Sequence, residues 1–242
     1  MSERETPQIL EFDSVTSTQD IARSLLRSGS CPDIVLAKMQ TAGRGRCGRT
    51  WCSPSGGMYA TLMLTADTLL AARAAIATKR ALRETGLDAS IKWPNDLLVD
   101  EKKVAGLLIE VVGDRALIGV GINIDASPIP GAAHVASYVD PPPSPRTMAV
   151  LVWKSWPQGH AEAVLAEYRQ ECATLGRWIQ VSRGSDPGTR IAGVATDIDG
   201  TGALIVACGG HDTQSAVTVT CGDCTHLEAC PGRSVASRDG SA

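Results

Sequence analysis

The sequence reads as an α+β protein: a mixed, mostly antiparallel sheet with helices, followed by a small C-terminal β-barrel. Three observations point there. Short apolar runs at 90–93, 96–99, 104–112 and 116–124 are separated by Pro-Asn, Asp-Glu-Lys and Gly-Asp turn signals, the pattern of consecutive hairpin strands. Ala/Leu-rich segments with helical spacing lie on either side of them. From Ile179 onward the chain changes to short strands with turns at 184–188, 197–202 and 209–210.

Taken in order, residues 8–15 read as a strand. Ser17 with Asp20 three positions on reads as a helix start, followed by Ile21, Ala22, Leu25 and Leu26 at helical spacing and a stop at Gly29. Residues 33–39 form the next strand, and 41–57, rich in Gly, Arg and Ser without periodicity, is a long loop of the kind that is usually functional or mobile. A strand at 58–65 leads to a helix from Asp67 to Thr85 that stops at Gly86. Two of the hairpin strands that follow are almost continuously apolar, so helices should cover at least one face of the sheet. Residues 125–145 hold six of the thirteen Pro and exclude regular structure; a helical stretch follows from Arg146 to about Leu175, broken at Pro157. The expected division is 1–177, 178–230 and a polar tail at 231–242.

Hydrophobic residues at 43% and charged ones at 20% describe a folded chain with a sizeable core, which at 4% aromatics must be built from Leu, Ile, Val and Ala. A net charge of −3 argues against a protein that coats nucleic acid or anionic membrane. No apolar run approaches a membrane span, and the start lacks a signal-peptide core, so the expected location is cytoplasmic, with the eight Cys reduced.

Two segments carry the chemistry. In Gln40-Thr-Ala-Gly-Arg-Gly-Arg-Cys-Gly-Arg-Thr-Trp51, Arg44, Arg46 and Arg49 alternate with Gly43, Gly45 and Gly48, so backbone amides can approach an anion that guanidinium groups surround. A solvated basic loop or an Arg/Gly RNA-binding segment would share that composition, but the aromatics that base stacking needs are not interleaved with the Arg. In Lys92-Trp-Pro-Asn-Asp96, followed by Lys103-Val-Ala-Gly106, a turn and a tight hairpin could bring Lys103 and a carboxylate into one pocket. Singly, Asn95 and Asp96 also suit a turn, and Lys103 a surface position.

With Ser17-Thr18 before them and Gly-Val-Gly-Ile-Asn123 after them, these segments resemble, in order and spacing, the biotin protein ligase family over about residues 10–125 and more weakly beyond. The resemblance implies the class II synthetase-like biotin/lipoate ligase fold with an SH3-like C-terminal barrel. It also implies two-step acyl transfer: biotin and ATP give biotinyl-5′-adenylate, and a lysine of a biotin carboxyl carrier domain then takes the biotin. Carried over, the biotin contacts are Ser17, Thr18, Gln19, Gln40, Gly43, Arg44, Gly45, Arg46, Lys103 and Gly106. The ATP contacts are Arg44, Arg46, Arg49, Trp51, Asn95, Lys103 and Asn123. Lys103, Arg46 and Asp96 are the catalytic candidates, with Asp96 assisting the acceptor amine, orienting Lys103 or taking part in Mg²⁺ binding. Mg²⁺ follows from ATP chemistry. The first motif arrives too early for the DNA-binding domain of repressor-type members, so no DNA partner is expected, and monomers and homodimers both occur in the family. A lipoate or octanoate ligase is the alternative, but those carry a Gly-Gly-Gly run where this chain has Gly-Arg-Gly-Arg.

Cys47, in the variable position of the loop, puts a thiol beside the ligand. Cys221, Cys224, His226 and Cys230 have zinc-like spacing, yet strand thiols are commonly structural, and no resident metal site is expected. Asp197-Ile-Asp199-Gly-Thr-Gly202 reads as a hairpin turn rather than a calcium loop. His134, His160 and His211 are not catalytic candidates.

Overall fold

A computed structural model describes residues 6–182, 190–208 and 215–227; the expected turns at 184–188 and 209–210, His211, Cys230 and the 231–242 tail lie outside them. In chain order the larger unit comprises β1 (Ile9–Val15), α1 (Thr18–Arg27), β2 (Ile34–Gln40), β3 (Gly57–Thr65), α2 (Leu70–Glu84), β4 (Ser90–Lys92), β5 (Asp96–Val99), β6 (Lys102–Val112), β7 (Arg115–Asn123), α3 (Pro145–Lys154) and α4 (Ala161–Glu171). The smaller comprises β8 (Trp178–Ser182), β9 (Arg190–Ile198), β10 (Leu204–Cys208), β11 (Ser215–Val219) and β12 (Asp223–His226).

Seven strands form one sheet in the order β1-β2-β3-β7-β6-β5-β4, parallel between β1 and β2 and antiparallel elsewhere. Central β3 is buried along its whole length except Thr65, as expected for a strand covered on both faces. Period-2 alternation divides its side chains: Met58, Ala60 and Leu62 join the main core with α2, α3 and α4, while Met63, with Val35 and Leu117, packs beneath Ala22 of α1. On α2, Ala74, Ala77 and Ala81 let the helix lie close to the sheet, and Ile76 and Leu82 are fully buried; Leu82→Ala should cost about 2–5 kcal/mol.

The positions of β6 and β7 on the α1 side include Gly106, paired directly with Gly121, and Gly119, paired with Leu108. Three glycines on one face remove the side chains that would fill it, leaving a trough beside α1. Its position follows from the register, and it becomes the floor of the cleft described below.

Three local expectations need correction. Ser17 precedes α1 in extended conformation, but its side chain makes no capping bond, and Asp20 faces arginines instead. Helix α2 starts at Leu70 rather than Asp67: Asp67 accepts from Thr68 N at 2.6 Å, and Leu69, with φ 59°, turns the chain into the helix. The 146–175 stretch breaks around Pro157 as expected, but its bounds shift: the first helix starts at Pro145, capped by Ser144, which accepts from Thr147 N at 3.1 Å, and the second ends at Glu171.

The smaller sheet runs β11-β10-β9-β8-β12 and is antiparallel throughout. It fits the expected SH3-like unit, and among the described residues β11 and β12 are its edges, with no pairing between them that would close a barrel. Ile179, Val181, Leu204 and Val206 are continuous with the main core. Polar ties reinforce the seam: Trp93 Nε1 donates to Gly202 O at 3.1 Å, Arg177 grips Glu101 at 2.7 Å, and Arg169 Nε reaches Asp197 at 2.9 Å. No helix among the described residues is long and apolar enough to cross a membrane.

Candidate functional site

A cleft opens over the glycine trough, walled by the α1 N-terminus, the 41–56 loop, the β4–β5 turn and the 125–133 segment. Of the residues singled out in the sequence, Ser17, Thr18, Gln19, Gln40, Arg44, Gly45, Arg46, Arg49, Trp51, Asn95, Lys103, Gly106 and Asn123 all line it.

At the α1 end the lining is buried and polar. Thr61 Oγ1 donates to Thr18 Oγ1 at 2.9 Å, and Thr18 gives both its hydroxyl, at 3.2 Å, and its N–H, at 2.8 Å, to Gln40 Oε1. Gln40 Nε2 donates to Ser53 Oγ at 2.8 Å, which donates to Trp51 O at 3.0 Å. Five residues from α1, β2, β3 and the loop form one relay, and Thr18, Ser53 and Thr61 are each less than 5% exposed. Buried chains of this kind polarise one another and fix their members in place. Gln19 Nε2 faces Leu108 O and Leu117 O, both at 3.4 Å, tying α1 to the floor.

The floor explains Trp51. A Cβ on Gly121 would stand 2.5 Å from Trp51 Cε2, and one on Gly106 2.7 Å from Trp51 Cζ3, so the indole lies on two paired glycines and no larger residue fits beneath it. Lys103 Nζ sits 5.1 Å from the ring centroid, within cation–π range, and 2.7 Å from Asp96 Oδ1. That approach is an ion pair without aligned hydrogen-bond geometry, since Oδ1 accepts no aligned bond. Lys103 reaches the cleft because β6 pairs out of step with β5 at Leu97/Leu98.

The loop is less free than its composition suggests. Bridges pair Gln40 with Ser53 and Arg44 with Thr50, and residues 46–48 form one 3₁₀ turn. Each arginine is tied: Arg44 to Asp20 and Glu110, both at 2.8 Å; Arg46 to Asn95 Oδ1 at 2.8 Å; Arg49 to Asp223 at 2.5 Å. Glu110 also holds Arg23 at 2.5 Å. Asn95 in turn donates to Leu107 O at 3.0 Å, and Asn123 to Ala133 O at 2.9 Å.

Two expected contacts stand back from the cleft. Gly43 acts through its backbone: its carbonyl accepts from Trp51 N at 2.9 Å, and a Cβ there would lie 2.3 Å from Trp51 O. Asp96 faces Lys103 and does not line the cavity. Conversely, Pro128, Ile129 and Ala132 form a wall that sequence reading passed over, because proline signals only irregular backbone. Tyr59, also lining the cleft, is pushed up to about 12 by burial and, less, by Cys52, and donates to Pro54 O at 2.7 Å; it stays a neutral phenol.

Of the zinc-like set, Cys221 is exposed while Cys224 is buried, its thiol pushed up to about 12 by burial. His226 lies 3.0 Å from Thr174 Oγ1 and 3.4 Å from Arg177; burial, then the charges of Lys92 and Arg177, hold it below its ordinary value. Asp199 accepts from Thr201 and Ala203 N in the β9–β10 turn, a hairpin turn as expected.

Comparison with known proteins gives four findings. The model of the biotin/lipoate A/B protein ligase family matches residues 11–126. The chain is 30% identical over 248 residues to the biotin–[acetyl-CoA-carboxylase] ligase of Mycobacterium tuberculosis, covering 90% of this chain and 89% of that one. It is 36% identical over 138 residues to the bifunctional ligase/repressor BirA of Bacillus subtilis, covering 50% of this chain and only 41% of that longer protein. Among solved structures, a biotin protein ligase of Aquifex aeolicus in complex with biotin and ATP superposes with a TM-score of 0.74 at 23% identity, covering 92% of this chain and 99% of that one, and shares its fold.

Proposed function

The chain belongs to the biotin protein ligase family, and from that premise we infer that it joins biotin to ATP as biotinyl-5′-adenylate and passes the biotin to one lysine of a biotin carboxyl carrier domain. The observation that carries this reading is the convergence on one cleft of a polar end at buried Thr18 and half-buried Gln40, an ammonium at Lys103, a guanidinium at Arg46 and an indole shelf at Trp51. Such a cleft suits a ligand with a neutral polar head, an anionic centre and a flat base, in that order.

In the first step a biotin carboxylate oxygen attacks the α-phosphorus of ATP and pyrophosphate leaves. Charge gathers on the phosphoryl oxygens, and cations fixed beforehand lower that barrier without a covalent nucleophile on the enzyme. Lys103 would bridge the carboxylate and the α-phosphate, leaving Asp96 as it does so. Arg46 would meet the same phosphate, Arg49 the departing pyrophosphate, and Trp51 the adenine, with Asn95 and Asn123 nearby. Both terminal nitrogens of Arg44 are held by carboxylates, so Arg44 would contribute its backbone amide, and Gly45 close backbone approach. Ser17, Thr18, Gln19 and Gln40 would surround the ureido head.

In the second step the acceptor amine attacks the acyl carbon and AMP leaves. An amine with a pKa near 10.4 must shed a proton at neutral pH, and Asp96, freed from Lys103, would take it. Mg²⁺ would arrive with ATP. Such a cation would be held chiefly by phosphates and water. With the chain divided at 177/178, this chemistry would fall on the larger unit.

A lipoate ligase would need an apolar pocket at the α1 end, where this chain buries the hydroxyls of Ser17, Thr18, Ser53 and Thr61 and the amide of Gln19. Biotin-dependent exchange of labelled pyrophosphate into ATP tests the reading: exchange with biotin and not lipoate is expected, and exchange with lipoate alone, or with neither, contradicts it.

A further inference from the structure

The tip of the Arg/Gly loop supports itself poorly. Gly45 N donates to Arg49 O at 2.7 Å and Arg49 N to Arg46 O at 3.1 Å, closing a five-residue turn in which Cys47 and Gly48 take φ of 54° and 73°. These two backbone bonds, with a long one from Arg49 Nε to Arg46 O at 3.3 Å, do not offset the backbone entropy of ordering five residues, so the tip depends on what its side chains grip.

One grip is Asn95. The other is the smaller sheet: Arg46 Nη1 donates to Gly222 O at 3.4 Å, and Arg49 Nη2 meets Asp223 Oδ1 at 2.5 Å. The backbone presenting that carboxylate is itself fixed. Gly222 sits at φ 148°, where a Cβ would strike Val181 Cγ1 at 2.4 Å, so the chain lies flat against β8 before Asp223 begins β12. Among the described residues, the Thr61–Thr18–Gln40–Ser53 relay at the opposite end makes no bond to this sheet.

We propose that Asp223 is a positioning residue for the nucleotide step: through Arg49 it holds the 45–49 turn in the form that ATP meets, so the smaller sheet completes the ATP half of the cleft and leaves the biotin half alone. Asp223 need touch no substrate. The assignment rests on the adenylation reading and adds to it a residue from outside the larger sheet.

The test uses the full chain with Asp223→Ala, Asp223→Asn and Asp223→Glu, measuring pyrophosphate exchange against ATP and biotin separately and biotin Kd by calorimetry. In the Ala and Asn variants the KM for ATP should rise about two- to fivefold, the range of an exposed ion pair, with kcat changing less and biotin Kd unchanged. Asp223→Glu should recover most of the loss. Amide exchange at 45–49 should quicken in Asp223→Ala, and adding that change to Arg49→Ala should do no further harm. As a control, Asp197→Asn breaks the 2.9 Å pair with Arg169 that ties the same sheet to α4, and should leave the KM for ATP where it was.

A wild-type KM for ATP in Asp223→Ala, an equal rise in Asp197→Asn, or parallel shifts in ATP and biotin would overturn the assignment. Should Asp223→Ala melt below the assay temperature, Asp223→Asn, of equal size, carries the same comparisons. Absence of biotin-dependent exchange in the unaltered protein would instead overturn the adenylation reading.

Discussion

The two ends of the cleft are built on different principles. At the α1 end, Thr18, Gln40, Ser53 and Thr61 satisfy one another in a buried relay drawn from four parts of the chain. At the loop end, Arg44 and Arg49 have side chains 37% and 57% exposed and are held by carboxylates. Buried hydrogen bonds among neutral groups are rigid and indifferent to salt; exposed ion pairs are weak, screened and easily exchanged for another anion. The α1 end can thus recognise a fixed neutral shape, while the loop end offers phosphates a set of charges that carboxylates hold in position. Lys103, between them, is poised on Asp96 and Trp51, able to turn to either half of a mixed anhydride.

Variants sort the two ends by size of effect. Lys103→Ala, which removes the shared charge, should slow pyrophosphate exchange by at least ~100-fold, and near-normal exchange would remove Lys103 from its role. Gln40→Ala leaves the Thr18 N–H and hydroxyl without their acceptor; a loss of about 1–3 kcal/mol corresponds to roughly 10- to 100-fold in biotin Kd by calorimetry, with little change in ATP binding in the absence of biotin. Gly121→Ala lifts the indole off its shelf and should weaken ATP about 10-fold, read by nucleotide titration and a change in Trp fluorescence. Raising ionic strength should increase the KM for ATP a few-fold and leave biotin Kd flat; equal salt dependence of both would erase the distinction drawn here.

Acid should act on the seam rather than on either end. His226 is held below its ordinary value by burial, so the unfolded chain binds its proton more readily. Its contribution to stability is complete above the unfolded value near 6.5 and is lost as pH falls below it. Glu101, held low first by Arg177, adds a further loss at pH below its ordinary 4.5. Melting temperature should therefore fall between pH 7.5 and 5.5, and His226→Gln should blunt that fall. An unchanged slope would place the acid sensitivity elsewhere.

Much of this was legible from local pattern. The hairpins from 90 to 123 stood out because apolar runs alternate with turn residues, and the ligand-facing motifs because Gly and Arg serve backbone approach and charge at fixed spacing. What stayed hidden was long-range. Asp20, Glu110 and Asp223 hold the arginines across 24 to 174 positions of chain, and nothing in their local sequence marks an ion pair. The Pro128–Ala132 wall carries no periodicity. Gly43 shows the converse: its motif marked it as a ligand contact, whereas the space around it is closed by Trp51 and Ser53.

The most direct measurement is a crystal structure with biotinyl-5′-adenylate bound. The expected complex has the ureido head against Thr18 and Gln40, the phosphate within hydrogen-bonding distance of both Lys103 and Arg46, and the adenine stacked on Trp51. A phosphate contacted by neither cation, or an adenylate seated with its base at the α1 end, would contradict the convergence from which the function was inferred.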